Sequence, residues 1–216
     1  MKNSQGGFTL VEIAIVLVII GLLLGGVLKG QELITQAKIR NVANDINGMS
    51  AAVFGYQDRY KKFPGDDNDA ASRWTSPATA SGNGDGAVGG AQAAVISCVG
   101  VGPGAINENC HFWQHLRLSG FIGGDSASPL PPQNAAGGVL QAQNGALGLS
   151  ALTICSTNLS GKIANAIDAQ FDDGRPNTGQ VRGVSGLAPV LNAAPTETNN
   201  SYVDDGSRVY VVCKTL

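Results

Sequence analysis

The sequence predicts an α+β protein in which one long N-terminal helix, transmembrane at first and amphipathic further on, packs on an antiparallel β-sheet head. Three observations carry this. Phe8 to Leu28 is an apolar run with a single charge, Glu12. Ile39, Val42, Ile46, Met49, Val53, Tyr56 and Tyr60 then recur at alternating steps of three and four, an apolar stripe on one helix face. Beyond Pro64 no long helical pattern dominates, and short β-prone segments such as SRVYVVCK (207–214) alternate with glycine-rich loops.

The apolar run comes first. Its 21 residues would form a helix about 32 Å long at about 1.5 Å per residue, close to the thickness of a bilayer core. A cleaved secretory signal fits less well, because the polar lead MKNSQGG is very short and no A-x-A-like site follows the run. Two signals disagree about orientation. Lys29, Lys38 and Arg40 follow the run while only Lys2 precedes it, so counting cations puts the head inside. The four cysteines, Cys98, Cys110, Cys155 and Cys213, include no C-x-x-C pair and read as two disulfides, which need an oxidising compartment. The cysteines are the stronger signal, so the N-terminus is expected in the cytoplasm and the head outside.

The helix does not stop at the membrane. No proline occurs before Pro64, and Arg40, Asn44, Asp45, Asn47 and Asp58 lie between the positions of the stripe. One helix is expected from Phe8 to about Lys61. A coiled-coil dimer is a poorer use of a short stripe interrupted by Gly48. FPGDDNDA (63–70) ends the helix, since Pro64 disfavours helix at Phe63 and the acidic run is turn chemistry. The chain thus divides into a leader (1–7), an assembly helix (8–28), its amphipathic continuation (29–62) and a disulfide-containing head (63–216).

Within the head, AAVISCVGV (93–101), GALGLSALTIC (145–155), TGQVRGV (178–184) and 207–214 read as strands. Residues 109–124 and 162–174 read as short helices, and 80–90 and 128–138 as loops. Cys98 and Cys110 enclose a short loop, a closure worth about 3 kcal/mol by chain entropy, which leaves Cys155 for Cys213. This is one of three possible connectivities.

Composition excludes several function classes. The 216 residues include 43% hydrophobic and only 14% charged residues, with 30 glycines, so the chain is neutral and loop-rich rather than a disordered polyelectrolyte. Net charge is −2, which gives no general pull toward nucleic acid. The charge is uneven: residues 1–62 hold seven Lys/Arg against four Asp/Glu, and residues 63–216 hold seven against twelve. An acidic head makes generic nucleic-acid binding unexpected. No G-x-S-x-G, H-E-x-x-H or Walker A pattern occurs, and the chain is not expected to be an enzyme.

GG-FTLVEIAIVLVIIGLLL resembles the processing and assembly segment of type IV prepilins and of type II secretion pseudopilins. The likeness covers about 25 residues closely, and the FPGDD, GNGDG and W-x-H-L (113–116) stretches are similar to minor pilin-like proteins in a looser way. The resemblance implies a pilin-like fold and a structural role as a subunit of a type IV pilus or type II secretion pseudopilus. It implies cleavage between Gly7 and Phe8 by a prepilin peptidase, and N-methylation of Phe8. Glu12 falls on the family's assembly glutamate. The partners implied are the peptidase, other pilin or pseudopilin subunits and the bacterial inner membrane, with the head periplasmic and the mature protein then in a filament. The large head leans toward a minor subunit. The helix-kinking proline usual in the family, which would fall near Lys29, is missing; Gly21, Gly25 and Gly26 stand nearby. The alternative is a membrane-anchored exoplasmic domain that binds a ligand or cargo and does not polymerise.

Glu12 makes physical sense in that role. A carboxylate at mid-bilayer costs roughly 3 kcal/mol, less when it sits one turn from the end of the helix, where the dipole also favours it. The amine created at Phe8 of a neighbouring subunit would neutralise it and fix the stacking register.

Three further clusters are candidate metal sites. Asp66, Asp67, Asp69, Asn83 and Asp85 offer hard oxygen ligands for calcium, which major pseudopilins of the resembled family bind in the head. Asp172, Asp173, Asp204 and Asp205 are rival positions. His111 and His115, four apart, share a helix face but lack an obvious third ligand.

Overall fold

The computed structural model describes residues 9–89, 98, 107–186 and 193–216. Two compact units divide the chain, 1–38 and 39–216. Helix α1, Leu10–Tyr60, contributes its first part to one and its second part to the other.

In the first unit the apolar side chains are exposed, Leu10 by 90% and Leu22 by 73%. α1 is the one helix among the described residues that is long and apolar enough to cross a membrane. A soluble fold would leave this surface costly in water, which is the logic of a lipid or helix–helix environment.

In the second unit the stripe predicted from Ile39 to Tyr60 is the buried face. Val42, Ala43 and Ile46 pack with Leu159, Ile163, Ile167, Val181, Tyr210 and Val212. Ala52, Val53 and Tyr56 pack with Phe112, Trp113, Leu116, Leu140 and Ile154. The helix ends at Tyr60, with Lys61 in the left-handed region (φ 57°) and its amide bonded to Gln57 O at 2.8 Å. Phe63-Pro64 keeps it from resuming.

After a single turn, α2 (Ala70–Arg73), comes α3 (Glu108–Leu118). The Asn107 side chain caps α3 by accepting from the Cys110 amide. Gly120, at φ 79°, closes it: Phe121 N–H reaches Leu116 O and Gly120 N–H reaches Arg117 O, a Schellman ending. The sheet holds β1 (Leu140–Asn144), β2 (Leu152–Ser160), β3 (Val181–Ser185) and β4 (Val209–Thr215), all antiparallel, in the order β1-β2-β4-β3. Helix α4 (Gly161–Phe171) follows β2 directly. Side chains alternate along β4: Tyr210 and Val212 face the helices, whereas Val211 and Cys213 face a small core with Ala146, Leu147 and Leu149.

The secondary structure differs from expectation in two places. The 145–155 segment is not one strand: 145–151 is a loop folded over the far face of the sheet, with Leu147 at φ 53°, and only the residues from Leu152 onward pair. β1 was not foreseen. The predicted 93–101 strand lies outside the described residues except for Cys98, which belongs to no helix or strand. Cys98 is bonded to Cys110 at the start of α3, and Cys155 to Cys213, its direct partner across β2 and β4.

Candidate functional site

The N-terminal segment is built around Thr9-Leu10-Val11-Glu12. Thr9 is the residue before α1, and its amide and hydroxyl both donate to Glu12 Oε2, each at 2.8 Å. Glu12 N–H returns to Thr9 Oγ1 at 3.3 Å. This is a capping box, which satisfies helix-end donors reciprocally and orients the carboxylate toward the chain entering the helix. In the isolated chain Glu12 is therefore engaged by its own helix end, a partner that the sequence reading passed over although the S/T-x-x-E pattern was there to find. Gly7 and Phe8, the residues expected at the processing position, lie outside the described residues.

In the head, carboxylates hold the GNGDG loop. Asp66 Oδ1 accepts the amides of Gly84 (2.7 Å) and Asp85 (3.0 Å), and Oδ2 accepts that of Gly86 (2.9 Å). Glu108, at the first turn of α3, takes Asn83 N–H and Gly89 N–H, one on each oxygen, at 2.9 Å. Close backbone approach requires glycine at two places. A Cβ on Gly82 would lie 2.3 Å from Gly65 O, and one on Gly65, itself at φ 88°, would lie 2.4 Å from Glu108 O.

Of the five residues named for calcium, Asp66 and Asp85 come together, joined by Glu108, with one oxygen of each within 4.8 Å of the others. Asp67 and Asp69 are not in that group. Asp67 accepts from Tyr56 Oη, Arg73 Nη1 and the Asp69 amide. Burial alone would raise its pKa, but the Arg73 and Tyr56 hydrogen bonds outweigh that and hold the carboxyl below the usual range. Asn83 binds Asp85 through its side chain. These three carboxylates lie close enough together to hold a cation, and they also serve the loop backbone. Both oxygens of Asp66, Glu108 and Asp85 accept N–H groups, which ties the loop to the start of α3.

The rival acidic group is organised in the same way. Asp168 accepts from Tyr202 Oη and Gly174 N–H, and burial raises its pKa. Asp172 accepts from Gln180 and Val181, and Asp173 from Arg175 and Thr178. Asp204 is not in this group, and Asp205 closes a turn on Ser207 and Arg208.

The His111 and His115 rings stack at 6.1 Å. His115 is enclosed: Nδ1 accepts Gly65 N–H at 2.9 Å and Nε2 faces Ala80 O at 3.0 Å. Burial drives its pKa down to about 4, so it is a neutral structural imidazole. His111 Nδ1 lies 3.1 Å from Gln114 Oε1. These contacts brace the FPGDD segment against α3, and they account for the W-x-H-L stretch as packing.

Residues 2–28 match the prokaryotic N-terminal methylation motif, the type IV prepilin-like signal. The match spans Gly7, Phe8, Glu12 and the exposed apolar run. No curated protein matches the chain. The match covers 27 of the 216 residues; it supports a type IV pilin- or pseudopilin-like N-terminal segment, fits a membrane-anchored protein, and carries the general implication of prepilin peptidase processing.

Proposed function

We propose that the chain is a non-catalytic structural subunit of a type IV pilus or type II secretion pseudopilus. A prepilin peptidase cuts between Gly7 and Phe8, and the new amine of Phe8 is methylated. The subunit waits in the inner membrane with its N-terminus cytoplasmic and its head periplasmic, and then polymerises through the apolar part of α1. Glu12 of one subunit takes the Phe8 amine of the next, in a low-dielectric bundle where a register error strands a charge.

The observation that supports this reading is the coincidence, within residues 2–28, of the methylation motif, an unburied apolar helix face and one carboxylate fixed at the helix start. Intact mass of the membrane-extracted protein tests it. Loss of residues 1–7 with one added methyl group at Phe8 is expected, and a retained leader would overturn it. Site-specific crosslinking between Phe8 and Glu12 positions of tagged copies then separates a polymerising subunit from a lone anchored domain.

A further inference from the structure

The chain contains two Asn-x-Ser/Thr sequences, Asn158-Leu159-Ser160 and Asn199-Asn200-Ser201. They sit in opposite surroundings. Asn158 lies in β2, its amide donates to Ala136 O at 3.3 Å, and Leu159 behind it is fully buried. Asn158 is half-buried at the break in the β2–β4 register, with its amide engaged. Asn199 lies at the tip of a three-residue turn, Thr198–Asn200, outside any strand. Thr198, Asn199 and Ser201 are all exposed.

The turn is held from below. The Asn177 side chain clamps Glu197, accepting its N–H at 2.8 Å and donating to its C=O at 2.9 Å. Asn200 Oδ1 accepts the Asn177 amide at 2.9 Å. Asn200 is thus the anchoring member of the pair. Among the described residues no hydrogen bond takes the Asn199 side-chain amide. Asn199, at φ 58°, is turned outward with that amide uncommitted. Two residues ahead, the Glu197 carboxylate accepts the Ser185 amide at 2.7 Å.

We propose that Asn199 is an N-glycosylation acceptor, modified by an oligosaccharyltransferase from a polyprenyl-diphosphate-linked oligosaccharide. The Asn199 Nδ2 atom forms the bond to the anomeric carbon, and the bond from that carbon to the diphosphate oxygen breaks. The polyprenyl diphosphate leaves with the electron pair, and the amide gives one proton to a base of the transferase. The Ser201 hydroxyl is the recognition group at the second position after the acceptor. The proposal rests on the head lying outside the membrane, as in the function proposed above.

The test expresses the full chain in cells that make both an oligosaccharyltransferase and its lipid-linked donor, and reads intact mass and fragment spectra. One oligosaccharide per chain is expected. It is lost in Asn199→Gln and Ser201→Ala, and kept in Asn158→Gln and Ser201→Thr. The same spectrum reports leader removal and the oxidation of Cys98–Cys110 and Cys155–Cys213. A processed, oxidised chain with bare Asn199 overturns the proposal and leaves the pilin-like function standing. A chain with its leader and reduced cysteines overturns both.

Discussion

Thr9 and Glu12 close the start of α1 on each other: the Thr9 amide and hydroxyl donate to one carboxylate oxygen, and the Glu12 amide donates to the Thr9 hydroxyl. The same carboxylate is proposed to meet the amine of a neighbouring subunit, so capping and pairing have to be separated. Glu12→Gln does this, because glutamine also completes a capping box but carries no charge. Membrane insertion and leader cleavage should persist in Glu12→Gln and Glu12→Ala, with incorporation into filaments lost in both. Thr9→Val removes the hydroxyl, costs about 1 kcal/mol of cap stability and should reduce incorporation only in part. Wild-type levels of Glu12→Gln in sheared filaments would show that the charge does not set register.

Asp66 and Glu108 hold the 83–89 loop through five backbone amides. Asp66→Ala leaves three donors to find water and should cost roughly 2–4 kcal/mol. Faster proteolysis between residues 82 and 89 should accompany the loss. If N–H groups are the whole of this site, melting temperature is the same in millimolar calcium and in chelator. A calcium-dependent rise that Asp66→Asn abolishes would instead make Asp66, Asp85 and Glu108 a cation site.

His115 predicts an acid-sensitive head. Its pKa is about 4 when folded, against an ordinary value near 6.5, so the unfolded chain binds the extra proton between those values. Stability is complete above pH 6.5 and falls as pH drops toward 4, by roughly 3 kcal/mol from this group. Burial is the main cause, and the geometry acts in the same direction: a proton on Nδ1 would face the Gly65 N–H that Nδ1 now accepts. Asp67, with its lowered pKa, adds loss in the same direction below about pH 4. Asp168, with its raised pKa, acts oppositely, losing stability as pH rises through its folded value. Urea midpoints measured from pH 4 to 7 should slope in the wild type and flatten in His115→Gln.

The helix and the methylation motif were legible because their signals are local. The 3-4 spacing from Ile39 to Tyr60 appears directly as the buried face of α1. β1 was hidden because its outward alternates, Gln141 and Gln143, are polar yet buried, which defeats an apolar/polar reading. Residues 145–151 misled in the opposite way: they are apolar because they cover the Cys155–Cys213 face, although Gly145, Leu147 and Gly148 all have positive φ and cannot extend as a strand. Glu108 gave no signal, since one acidic residue at a helix start looks like ordinary dipole complement. Its partners, Asn83 and Gly89, are 25 and 19 residues away, and such pairings exist only after folding.

Tyr56, Asp67 and Arg73 form the remaining network, and its energetics can be partitioned. The Asp67 side chain is 0% exposed and receives the Tyr56 hydroxyl at 2.6 Å, while Arg73, 28% exposed, lies over the Tyr60 ring at 4.3 Å. Arg73→Met keeps the aliphatic packing but leaves a buried carboxylate with less compensation. That should cost roughly 2–3 kcal/mol, below the full value for a buried pair because Arg73 is partly solvated. Tyr56→Phe removes one hydrogen bond to a charged acceptor and should cost about 1.5–3 kcal/mol. In an Asp67→Asn background both substitutions should cost less, because the charge they serve is gone. Trp74, beside Tyr60 at 5.5 Å, offers a local fluorescence probe for these unfolding curves. Strict additivity of Arg73→Met and Asp67→Asn would mean that the ion pair does not stabilise the helix–loop junction, and the aromatic packing of Tyr56, Tyr60 and Trp74 would then account for it.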